Sequence, residues 1–184
     1  MSREKKQNLP ALTAAAMMAA VLCVLGPLSV PIGPVPIAMG NFAVSLAAWL
    51  LGPRYGALSV AAYLLLGGVG VPVFAGYAAG AAVLLGPTGG YLIGYLAQAV
   101  IGGWAVERAG GRMVWSALGL VAGVAVCYAF GTAWFIVQMG CTLPYALTVC
   151  VLPFIPFDLV KIGLASALGS LLRRSLTGAG LLPH

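Results

Sequence analysis

The chain has 184 residues, of which 62% are hydrophobic and 7% charged, and nine Lys and Arg against three Asp and Glu leave a net charge of +6. Soluble domains carry about a quarter charged residues, so the composition excludes a water-exposed globular fold and indicates an all-α integral membrane protein. A single histidine at position 184 and four separated cysteines, Cys23, Cys127, Cys141 and Cys150, give no support to a metal site, a cofactor or histidine-based catalysis.

A helix crossing hydrocarbon needs roughly 17 to 25 apolar residues. The first such run, Ala11 to Val30, follows a basic segment. It is too long for a signal-peptide core and ends in Pro-rich sequence, so it is taken as the first span. Within it Ala11, Ala15 and Ala19 form a small-residue stripe at spacing four, with Ala16 and Ala20 beside it. Small residues let helices approach closely in lipid, and the stripe serves either a partner protein or packing within the same bundle.

Shorter spans run from Ile37 to Leu51 and from Ala57 to Val71, separated by Gly-Pro-Arg-Tyr-Gly. From Gly67 to Gly90 the density of Gly and Pro prevents a continuous helix, and irregular backbone at membrane depth lines a cavity or is covered by protein. This segment is expected to be an extracellular lid, with Phe74, Tyr77 and Tyr91 as apolar walls. A plain connecting loop with aromatics at the interface is the alternative. Its Gly-Pro-Thr-Gly-Gly run lacks the lysine and spacing of a phosphate loop.

Tyr91 to Val106 and Val114 to Met139 follow as spans. Leu143 to Ile155, bracketed by Pro144, Pro153 and Pro156, is expected to be a short surface helix. The last span runs from about Asp158 to Leu172. The expected architecture is one domain, residues 1–184, with six transmembrane helices.

Cytoplasmic loops collect Lys and Arg. With Arg3, Lys5 and Lys6 inside, six crossings also put Arg54, Arg108, Arg112, Arg173 and Arg174 inside, leaving one of the nine basic residues unaccounted for. Both termini are then cytoplasmic, and the positive charge reports orientation in a cell membrane rather than nucleic-acid binding.

The basic residue left over is Lys161, and three positions before it stands Asp158, an acid outside both the N-terminal tail and the Glu107 loop. At this spacing they share a helical face. They either neutralise each other within the bundle or form a recognition site open to the exterior. A buried pair often costs more than an apolar replacement, which favours a functional reason for keeping it. Pro156 suits a first turn, and Asp158 just after it is expected near the positive end of the helix dipole.

Gly-Pro-Val-Pro-Ile at 33–37, Leu-Gly-Pro-Arg-Tyr-Gly at 51–56, Gly-Val-Pro-Val-Phe-Ala-Gly at 70–76, Gly-Pro-Thr-Gly-Gly-Tyr at 86–91 and Phe-Ile-Pro-Phe-Asp-Leu-Val-Lys at 154–161 resemble the BioY family, the biotin-binding S components of energy-coupling-factor vitamin transporters. The motifs occur in order over nearly the whole chain. The resemblance implies a six-helix, non-enzymatic protein that captures biotin outside and delivers it inward. It also implies work with a transmembrane coupling protein and cytoplasmic ATPase subunits, onto which alanine motifs like that of Ala11, Ala15 and Ala19 dock.

By the same resemblance Asp158 and Lys161 contact the ligand, and Asn41 is a secondary polar candidate. The chain departs from the family where a glutamine is usual, at Gly40, and where the Gly-rich loop carries a polar residue, near Ala78. Biotin is thus the first expectation, with lipoate or a biotin precursor as alternatives and a stand-alone secondary transporter as another. A membrane enzyme has no nucleophile with a base partner to rest on.

Overall fold

A computed structural model of the protein describes residues 3–31, 35–110 and 112–178. Gly33, Pro34 and His184, singled out in the sequence, lie outside the described residues. The elements in order are α1 (Arg3–Leu25), β1 (Ser29–Val30), β2 (Ile37–Ala38), α2 (Gly40–Gly68), a 3-10 turn (Ala75–Tyr77), α3 (Ala81–Leu85), α4 (Gly89–Arg108), α5 (Met113–Met139), α6 (Leu143–Cys150) and α7 (Phe154–Gly178).

Among the described residues, three helical stretches are long and apolar enough to cross a bilayer by length and composition: Gly40–Gly68, Met113–Met139 and Phe154–Arg173, with Leu9–Leu25 a shorter apolar helix. Leu65, Val114, Leu118, Val137, Val160 and Leu171 are among the large apolar side chains exposed on the outside of the bundle. Large apolar side chains exposed in such number belong against lipid rather than water. The first helix stops short of the expected Val30, because the chain turns at Gly26 and Pro27 and enters a two-stranded antiparallel hairpin. In it Ser29 pairs with Ala38 and Val30 with Ile37.

Helix α2 is two arms. Gly52 sits at φ 69 and ψ −171, which no helix contains. A Cβ placed on Gly56 lies 3.2 Å from the carbonyl oxygen of Ala47, nine residues earlier; along a continuous helix nine residues cover about 13 Å. The chain therefore reverses at Gly52, residues 40–51 run one way and residues 53–68 return. Pro53 opens the second arm, where its missing N–H and fixed φ cost nothing. The turn packs on α4, a Cβ on Gly103 lying 2.5 Å from the Gly52 carbonyl carbon.

Glycines set the α4–α5 contact as well. Gly94 approaches Cys127, and Gly123 lies against the Gln98 carbonyl, distances of 2.9 and 3.0 Å from an added Cβ. Such small residues bring two backbones together without side chains between them. Helix α6, at eight residues, spans about 12 Å and cannot cross a membrane.

The small-residue stripe on α1 faces inward, so of the two roles its spacing leaves open, a partner contact for Ala11, Ala15 and Ala19 or packing within the bundle, the isolated fold uses the second. Ala11, Ala15 and Ala19 are buried, and Ser59 on the second arm of α2 donates its hydroxyl to the Ala15 carbonyl at 2.9 Å. Spacing of four defines a stripe but not the side it faces. The neighbouring Ala16 and Ala20 are the alanines left exposed.

Candidate functional site

At the end of the bundle carrying the β-hairpin, a cavity of about 50 Å³ is lined by residues from six elements, including Ala38, Asn41, Tyr91, Tyr95, Tyr128, Asp158 and Lys161. A second cavity of about 230 Å³ shares Val35, Pro36, Ala38, Tyr91 and Tyr95 with it and extends beneath the Gly-rich segment to Phe74, Ala78 and Val83. Together they form a two-chambered space, one chamber polar at its floor and the other mostly apolar.

Helix α7 supplies the ion pair. Lys161 Nζ donates to Asp158 Oδ1 at 3.1 Å and to the Ala38 carbonyl at 2.8 Å, and both residues are buried. The lysine thus ties α7 to the β-hairpin. Asp158 lies in the second turn of α7, which begins at Phe154, and its partners are side chains. Asn41 Nδ2 donates to Oδ2 at 2.7 Å, and the Tyr128 hydroxyl from α5 donates to the same oxygen. The expected dipole position is corrected accordingly: the carboxylate is held by side-chain donors from three helices rather than by free N–H groups of its own.

Behind Asn41 the network continues. Gln98, fully buried in the middle of α4, donates from Nε2 to Asn41 Oδ1 at 2.5 Å and to Ser45 Oγ at 3.1 Å. The Ser45 hydroxyl donates to the Asn41 carbonyl at 3.0 Å. Tyr95 and Tyr128 line the candidate site and Gln98 and Ser45 belong to the network behind it, and none of the four stands out in the sequence. Gln98 is open to the same rule that finds Asp158, since a polar side chain in mid-span needs partners.

The aromatic candidates separate. Phe74 is buried against Tyr63, with ring centroids 5.5 Å apart at 86°, and it also lines the apolar chamber. Tyr91 lines both chambers and shares a 2.9 Å hydrogen bond with Thr132. Tyr77 does not belong to either wall. It is 66% exposed and sits at φ 62 in the turn that carries it outward, so its expected place in the pocket is corrected.

The Gly-rich segment is a tied structure. Phe74 and Ala78 form a β-bridge, and Gly80 N–H donates to the Gly67 carbonyl at 2.7 Å. Trp134 Nε1 donates to Gly86 O at 3.0 Å and Gln138 to Leu85 O at 2.6 Å, joining the segment to α5. The two departures noted in the sequence both fall near the cavities: Ala78 lines the apolar chamber, and Gly40 lies flat against the Tyr95 ring, 3.4 Å from an added Cβ.

Residues 2–178 match the sequence pattern of the BioY family. The chain belongs to the BioY family. It is 38% identical over 161 residues to the biotin transporter BioY of Thermotoga maritima, covering 87% of this chain and 94% of that one. With the probable biotin transporter BioY of Pyrococcus horikoshii the identity is 41% over 146 residues, 79% of this chain and 85% of the relative. A crystal structure of the S-component for biotin from an ECF-type ABC transporter superposes with a TM-score of 0.86 at 34% identity, covering 95% of each chain. This BioY family member therefore has the S-component fold, and its relatives are transport proteins rather than enzymes.

Proposed function

We propose that this protein captures biotin at the outer face of the cell membrane and delivers it inward as the S component of an energy-coupling-factor transporter. The observation that carries the assignment is the unused hydrogen-bonding capacity at the floor of the cavity. A carboxylate offers about four acceptor positions and an ammonium three donors. Asp158 receives Lys161 on Oδ1 and both Asn41 and Tyr128 on Oδ2, while Lys161 spends two donors on Asp158 and Ala38. One acceptor on Oδ1 and one donor on Nζ remain side by side. An N–H next to a carbonyl, as in the ureido ring of biotin, satisfies both at once, and the apolar chamber suits an aliphatic chain.

Lipoate has no N–H for Asp158 and would leave that acceptor unmatched in a buried site, at a cost of about 1 to 3 kcal/mol. The ureide therefore favours biotin over the dithiolane despite the apolar residues at Gly40 and Ala78.

The same proposal holds that six segments cross the membrane, the two arms of α2 counting separately. The Gly52 turn carrying Arg54 and the α4–α5 turn with Arg108 and Arg112 then share the cytoplasmic end with both termini, and the cavity opens at the opposite end under the Gly67–Gly90 lid. The chain carries no nucleotide-binding motif, so a coupling protein and ATPase subunits supply the energy. The exposed Ala16 and Ala20 face of α1 is where they would dock.

Isothermal titration of detergent-purified protein with biotin, beside lipoate, tests the substrate. Tight, saturable biotin binding with no heat from lipoate is expected. Heat from lipoate but not biotin would overturn the substrate while leaving a capture protein.

A further inference from the structure

We infer that Gln98, which lies outside the cavity lining, is a positioning residue that fixes the donor direction of the Asp158 network and so sets the affinity for ligand. The inference rests on the assignment of the cavity as the biotin site.

Asp158, as a carboxylate, only accepts hydrogen bonds. Asn41 must therefore turn its Nδ2 toward Oδ2, as it does at 2.7 Å. That orientation aims Asn41 Oδ1 away from the cavity into the bundle, where an acceptor without a donor would be destabilising. Gln98 Nε2 meets it at 2.5 Å and also reaches Ser45 Oγ at 3.1 Å and the Asn41 carbonyl at 3.4 Å. The chain of bonds thus has one self-consistent polarity, Gln98 to Asn41 to Asp158. With the side-chain amide of Asn41 held in one orientation, Oδ2 stays occupied and Oδ1 keeps the free position that faces the ligand.

A second observation separates this role from packing. Gln98 Oε1 is buried with no hydrogen-bond partner among the described residues. An orphaned amide oxygen in the core of a bundle works against stability, so the amide is a poor choice for filling space and its donor end is the part the site uses. An apolar side chain of the same length is expected to fit as well or better while losing the function.

The test is a set of titrations with biotin on the full-length detergent-purified protein, with thermal unfolding measured alongside. Gln98→Met should weaken binding roughly tenfold or more with an unfolding temperature equal to or above wild type. Asn41→Ala should also weaken binding. The double variant should be no weaker than the weaker single one, because Gln98 acts through Asn41.

Wild-type affinity in Gln98→Met, or penalties that multiply in the double variant, would overturn the inference. Should Gln98→Met fail to fold, Gln98→Glu preserves the shape but presents oxygens to Asn41 Oδ1. It is expected to lose binding at least as severely at pH 8, and wild-type affinity there would overturn the inference equally. Unchanged affinity in Asn41→Ala alone would instead refute the cavity assignment.

Discussion

Tyr128 on α5 and Asn41 on α2 donate to the same carboxylate oxygen, Oδ2 of Asp158 on α7, so three helices that are distant in sequence converge on one atom. The convergence makes the site a clamp on helix geometry as much as a ligand contact. Hydrogen bonds to a charged group contribute about 1.5 to 3 kcal/mol each, more than a neutral pair between helices. Tyr128→Phe removes one of the two and keeps the ring. It should lower thermal stability modestly and weaken biotin binding between about threefold and thirtyfold, a range of roughly 0.7 to 2 kcal/mol. Titration and unfolding on the same sample check both, and unchanged affinity would place the hydroxyl outside the binding energetics.

The ion pair predicts an asymmetry between its partners. Lys161→Met leaves the Asp158 carboxylate with Asn41 and Tyr128 still donating to it. Asp158→Leu leaves the Lys161 ammonium buried, with the Ala38 carbonyl still accepting from it but no counter-charge beside it. Stranding a buried charge costs about 3 to 5 kcal/mol. Both variants should abolish high-affinity binding, but Asp158→Leu should lose far more stability, read as a lower unfolding temperature or poor recovery from the membrane. Equal stability of the two would show that the Ala38 carbonyl alone is enough to hold the ammonium.

Much of this arrangement is legible in the amino-acid sequence. Charges in an apolar chain are few, so Asp158 and Lys161 stand out by type alone, and the Gly-Pro-Arg-Tyr-Gly run marks the reversal inside α2. What a one-dimensional pattern does not supply is direction. The alanine spacing on α1 is correct, yet which stripe faces the bundle depends on where Ser59 and the second arm of α2 lie. Tyr77 has the composition of a pocket wall, but a positive φ in its turn carries it outward. Tyr128 is an ordinary aromatic in a long apolar helix, and its role emerges only once α5 and α7 are adjacent.

The reversal in α2 should depend on glycine at position 52. Its φ of 69 with ψ of −171 lies in a region essentially restricted to glycine, where other residues are strained by about 1 to 3 kcal/mol. A Cβ there would also collide with the Glu107 carboxylate. Gly52→Ala is expected to destabilise the protein by at least that amount, and adding Glu107→Ala should relieve the collision but not the backbone strain. Thermal unfolding of the single and double variants separates the two contributions. A Gly52→Ala protein as stable as wild type would mean that the turn rearranges without loss.

The two alanine stripes of α1 make opposite predictions. Ala15 is buried and its carbonyl accepts from Ser59 at 2.9 Å, so Ala15→Leu forces extra volume into a close helix contact. Overpacking of this kind costs about 1 to 3 kcal/mol, and it should reduce stability of the isolated protein whatever its partners. Ala16 faces outward, and Ala16→Leu should leave both stability and biotin titration unchanged while weakening co-purification with the coupling protein and ATPase subunits. Small residues permit the closest helix approach in lipid, so a leucine at the contact is felt even though position 16 is exposed in the isolated protein. If Ala16→Leu assembles as wild type does and still supports uptake, the partner lies on another face of the bundle, and the exposed alanines of α1 meet only lipid.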